Sequence, residues 1–66
     1  MSRFAAHPIQ INAARARVLT GTLKPMGGYT CSGIRYDQYL TDFGMVTVGT
    51  DSFGDPFEYH LLRYAA

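Results

Sequence analysis

Cys31 is the only cysteine in this chain, which rules out an internal disulfide. At 66 residues that absence constrains the fold severely. A chain this short buries only about 60% of the surface its unfolded form exposes, and apolar burial barely offsets the entropy of ordering. The chain must therefore close a small core of its own, hold a metal or lean on a partner. A single cysteine does not indicate an oxidising compartment, so a reduced, cytoplasmic setting is the expectation. Met1–Ala6 is short and carries Arg3 with no apolar stretch behind it, so no secretory signal is expected. No run approaches the roughly eighteen apolar residues of a membrane span. Hydrophobic residues are 47% of the chain and charged ones 17%, enough apolar material to fold and too little charge for a disordered tail.

Turn chemistry then divides the chain. Residues 1–8 read as an extended lead-in, since His7 precedes Pro8 and is biased away from helix. Residues 9–66 read as one small domain. In "IQINAARARVLTGTLKP" two readings compete. A short helix would be capped by Asn12 and ended by Gly21. A long first strand through Leu23 draws on Ile9, Ile11 and the β-type residues of Val18–Leu23. Eight helical residues do not stand alone without packing, and the strand is favoured. "KPMGG" is a turn and Tyr29–Cys31 a strand.

Between Ser32 and Gly44, residues Tyr36, Tyr39, Leu40 and Phe43 fall at helical spacing, which predicts a short helix at about 33–43. "GIRYDQYL" also reads as a strand, with Ile34, Tyr36, Gln38 and Leu40 on one face. "MVTVG" and "FEYHLLRY" are strands joined through the loop "TDSFGDP". The expected fold is α+β, a small antiparallel sheet of three to four strands with one short helix; the alternative is an all-β small sheet or barrel. Phe43, Phe57 and Leu61 lead the expected core, with Val46, Val48, Leu40 and Ile34.

The net charge of +1 conceals an asymmetry. Residues 1–35 hold Arg3, Arg15, Arg17, Lys24 and Arg35 and no acid. Residues 36–66 hold Asp37, Asp42, Asp51, Asp55 and Glu58 against Arg63 alone. Two such halves are expected to pack together and pair charges across neighbouring strands; the sharper reading is a polarised surface with a basic face. The weak net charge argues against strong nonspecific nucleic-acid binding.

No complete chemical motif is present. Zinc requires about four ligands at suitable spacing, and Cys31, His7 and His60 offer neither CxxC nor HxxxH. No metal or cofactor is expected. A Cys31–His60 nucleophile pair needs a positioned base and a lowered thiol pKa, and an ordinary buried cysteine is the expected reading. "DSFGD" lacks the length and terminal glutamate of a calcium loop, and "GGYTCSG" has no following lysine to make a phosphate cradle. Catalysis is not expected.

What remains is a surplus of rings: five Tyr and four Phe, more than so small an interior can hold. One reading packs most tyrosines inward with their hydroxyls at the rim. The other leaves some exposed, and Tyr with Arg is enriched at binding hot spots. Arg15, Arg17, Tyr29, Arg35, Tyr36, Tyr39 and Tyr64 are the candidates, and Phe53 joins them because a polar loop does not explain it. The expected function is non-enzymatic protein binding that occludes or bridges a larger protein or ribonucleoprotein assembly. The alternative is a nucleic-acid module that stacks bases on a sheet, and a homodimer that completes its core is a minor third reading. In compactness, Ala/Arg/Gly-rich usage and lack of enzyme motifs the chain is similar to small accessory proteins of phages and mobile elements, anti-CRISPR inhibitors among them. That similarity implies direct blocking of a protein, because the chain is not the strongly acidic nucleic-acid mimic common in that group.

Overall fold

The computed structural model describes residues 3–65, and its first regular element after a two-residue strand is a helix. Strand β1 is Ile9–Gln10 and helix α1 is Ala13–Thr20. Asn12 caps α1 by accepting the Arg15 N–H at 2.7 Å. Gly21, at φ 51°, closes it with its N–H on the Arg17 carbonyl. The long first strand is therefore overturned: two good caps and a run of alanines outweigh the β-type residues that follow.

The expected helix at 33–43 is overturned as well. β2 (Gly27–Cys31), β3 (Ile34–Thr41) and β4 (Gly44–Thr50) form consecutive antiparallel hairpins, and β5 (Pro56–Arg63) pairs with β4. The sheet has five strands, ordered β1-β5-β4-β3-β2, rather than three to four. Ser32 and Gly33 join β2 to β3 with φ of 52° and 79°, the positive pair that suits a two-residue hairpin turn. At the next turn the Thr41 hydroxyl accepts the Phe43 N–H at 3.2 Å and donates to the Gly44 carbonyl at 2.8 Å. Asp51 organises the last loop, its carboxylate accepting the N–H groups of Phe53 and Asp55. In β3 the tyrosines at 36 and 39 point to opposite faces, so the apparent helical stripe is split by the pleat.

The lead-in is tied down along β5. Phe4 bridges Tyr64, the Ala5 N–H bonds the Arg63 carbonyl at 2.7 Å, and the Ile11 N–H bonds the Tyr59 carbonyl at 3.0 Å. Residues 1, 2 and 66, the outer ends of the two expected spans, lie outside the described residues. No helix among the described residues is long and apolar enough to cross a membrane.

Helix α1 covers one face of the sheet, over β3, β4 and β5. Ile11, Ala16, Val46 and Leu61 are buried there, with Leu19, Tyr39, Val48 and Tyr59 packed around them. Ala16 sits in the middle of the contact, and its small side chain lets the helix approach the strands closely. No ring among the described residues is fully buried. Phe43 and Phe57, expected inside, are 63% and 49% exposed. Phe43 occupies a turn tip and Phe57 the loop end of β5, and a helix of eight residues, about 12 Å long, is too short to shelter both. Leu40 and Ile34 are half-buried on the other face. Cys31, expected to be buried, is exposed at the end of β2.

Candidate functional site

Period-two alternation turns the residues between the core positions to the face that α1 leaves open. Register aligns them in rows across the strands. Tyr29, Tyr36, Gly49 and Glu58 form one row; Gly27, Gln38, Thr47, His60 and Gln10 form the next; Leu40, Met45 and Leu62 form a third. Side chains of all three rows line a trough of about 380 Å³, with Pro8 at its far rim. Tyrosine, carboxylate, amide and aliphatic side chains thus share one surface. No Lys or Arg belongs to these rows, because Arg35 and Arg63 sit on alternate positions and face the helix side.

Its first row is organised by a missing side chain. A Cβ on Gly49 would stand 3.1 Å from Tyr36 Cε1, 3.1 Å from Glu58 Cβ and 3.3 Å from Glu58 Oε2. Glycine therefore lets the Tyr36 ring lie across β4 toward Glu58. On its other side Tyr36 stacks against Tyr29, with centroids 5.0 Å apart and planes at 24°. The Tyr36 phenol is pushed above its ordinary pKa, by partial desolvation first, then by the Glu58 charge and a hydrogen bond to that carboxylate.

The eight candidates of the sequence fall in several places. Tyr29 and Tyr36 share the open face. Arg15 and Arg17 are exposed on α1, on the opposite side of the sheet. Arg35 is on that side too, its Nε 3.3 Å from Asp37, the single ion pair among the described residues. The expected cross-strand pairing of the two charge halves is thus replaced by one contact within β3. Tyr39 packs against the core. Tyr64 stacks on Phe4 at 5.4 Å and donates its hydroxyl to the Thr41 carbonyl, and the Arg3 guanidinium lies 5.9 Å from its ring. Phe53 is 88% exposed at the tip of the β4–β5 loop. Glu58, His60, Gln38, Thr47, Met45 and Leu62 are not among the sequence candidates. The alternation of "FEYHLLRY" is the only signal for those on β5, and it does not say which side is left open.

Other chemistry is sparse. Cys31 ends β2 while His60 is in the middle of β5, three strands away. Among the described residues no three His, Cys, Asp or Glu side chains gather closely enough to hold a metal ion. A second hollow of about 460 Å³ lies at the β2 edge between Pro25–Thr30 and the Arg35–Asp37 pair, whose charges already satisfy one another. Comparison with protein-family models, with curated proteins and with solved structures finds no match to this chain.

Proposed function

We propose that this chain is a non-enzymatic binding domain that docks the uncovered face of its sheet onto a larger protein. One observation carries the reading: an entire sheet face combines a tyrosine pair, aliphatic side chains and directional polar groups, with no described element of the chain covering it. Aromatic groups flanked by hydrogen-bonding ones are the composition of protein interfaces. The nucleic-acid reading is disfavoured at this face, because its rows supply rings for stacking but no cation for phosphates. The arginines of α1 are exposed on the opposite side of the sheet.

Affinity capture from the native host, using the tagged full chain, tests this. Thr47→Arg places a bulky charge at the centre of the face, and Tyr36→Ala removes its main ring. Both are expected to lose the captured protein while amide spectra remain folded. Arg17→Ala is expected to retain it, since it lies behind the sheet. Capture that survives Thr47→Arg and Tyr36→Ala refutes the docking face. Capture of nucleic acid alone, with affinity falling steeply as salt rises, refutes the protein partner.

A further inference from the structure

We infer that Glu58, with Tyr36 and Tyr29, forms a seat for a cationic side chain of the partner, arginine foremost. The inference rests on the open face being the docking surface, and names the chemistry that fits it.

Glu58 is the one Asp or Glu in the rows of the open face, and it is half-buried. The single ion pair among the described residues is on the opposite side of the sheet, so no cation among them neutralises Glu58. A partner that covers this face must strip water from the carboxylate. Leaving a buried carboxylate without a counter-charge is strongly unfavourable, so a complementary partner has to bring one. A carboxylate offers about four lone-pair sites, and Glu58 presents its side chain to the trough beside Tyr36.

The neighbouring rings select among cations. A group bound to Glu58 lies beside Tyr36, and through it the stacked Tyr29, which is 51% exposed. Cations are attracted to aromatic faces, and a guanidinium both stacks on a ring and grips a carboxylate with two parallel N–H bonds. An ammonium is attracted to both as a point charge but has no planar fork to stack on the ring and bind the carboxylate bidentately. Gly49 keeps the approach clear, since any side chain there would wedge between Tyr36 and Glu58. A second copy of this chain also carries exposed arginines, on α1. Their use here would be head-to-tail, building rings or filaments rather than a two-fold dimer.

The test titrates the labelled full chain with N-acetyl-arginine methylamide and, at matched ionic strength, with its uncharged citrulline counterpart, following backbone amides by NMR. The arginine probe is expected to shift Tyr36, Gly49 and Glu58 saturably. It is also expected to bind about fivefold tighter than citrulline, the ratio to which roughly 1 kcal/mol corresponds. Glu58→Gln should bring the two probes level, and so should Gly49→Ala, which keeps the carboxylate but moves the ring. Equal binding of the two probes to the unmodified chain overturns the cation seat; so do shifts confined to the Asp51–Asp55 loop. If Thr47→Arg still abolishes partner capture in that case, the docking face stands and only the seat falls. If arginine binds selectively but capture ignores Thr47→Arg, the docking face falls instead. Concentration-dependent growth of the free chain into long assemblies, suppressed by Glu58→Gln, would overturn the choice of a foreign partner.

Discussion

Gly44→Ala should come close to unfolding this domain, for a reason distinct from glycine's usual role in turns. Gly44 opens β4 with φ at 139°, a conformation that costs a side-chain-bearing residue about 1–3 kcal/mol. Steric overlap adds more. A Cβ at this position would overlap the Leu62 carbonyl oxygen and stand 2.8 Å from the Arg63 Cα, both backbone atoms of the paired strand. Relief requires β5 to move away at the Gly44–Arg63 pair, which gives up ladder hydrogen bonds worth about 1 kcal/mol each. Together the two effects cost about 3–5 kcal/mol. A domain of this size commands only about 3–10 kcal/mol in total, at roughly 0.05–0.15 kcal/mol per residue. With an unfolding entropy near 2.1 cal/mol/K per residue, a loss of about 3 kcal/mol corresponds to a fall in Tm of about 20 °C. Gly33→Ala is the control. Its φ of 79° is also positive, but a Cβ there meets nothing within 4 Å. It bears the conformational cost alone and should lose about 1 kcal/mol, or roughly 5–10 °C. Thermal and urea denaturation followed by circular dichroism read both variants. Equal losses in the two, or a Gly44→Ala protein melting within about 5 °C of the parent, would refute the claim that strand-to-strand contact sets the cost.

Leu61→Ala empties the centre of the core, where the side chain is 1% exposed; a loss of about 2–5 kcal/mol is expected, enough to leave a large unfolded fraction in urea titration at modest denaturant. Alkaline spectrophotometric titration should show one tyrosine ionising later than the rest, and Glu58→Gln should bring it back toward the ordinary range near about 10. Because the folded state holds the Tyr36 proton more tightly than the unfolded chain does, its contribution to stability is intact below about pH 10 and fades as pH rises through the folded pKa; a melting temperature indifferent to Glu58→Gln across that window would contradict the assignment.

Local signals in the sequence are informative where they act locally. Asn12 and Gly21 do cap a helix at the boundaries the helical reading places, and Asp51, Gly54 and Asp55 make the expected loop, with Pro56 opening β5. Where the sequence misleads, the deciding contact is distant. Residues 34–41 carry both a helical stripe and a strand alternation. The strand prevails because β2 and β4 flank it on both sides, a fact of pairing that no window around Tyr39 contains. Phe43 and Phe57 have the hydropathy of core residues, and their exposure follows from the small area α1 shields. The open face is hidden for the same reason. Alternation divides β5 into Phe57, Tyr59, Leu61 on one side and Glu58, His60, Leu62 on the other, but only the position of α1 says which set is covered.

That dependence ties the candidate site to the fold. Val46 and Leu61 pack under α1 because they share a parity in register, and the same parity sends Glu58, Tyr36 and Thr47 outward while Arg35 and Arg63 turn to the helix side. A slip of one residue in β5 would exchange the faces of its side chains. It would put Glu58 and His60 against Ala16 and leave Leu61 in water, at a cost the small core could not absorb. The register that buries the core is therefore the register that leaves the Glu58 carboxylate beside the Tyr36 ring with no ion pair among the described residues. Gly49 stands at the register shift between β4 and β5, a place where strands often carry glycine. Alanine gains nothing at this site, because its Cβ would stand 3.1 Å from both Tyr36 Cε1 and Glu58 Cβ. One glycine thus serves the ladder and the row together: the position at the irregular pairing is also the one whose missing side chain leaves room for Tyr36 to reach toward Glu58.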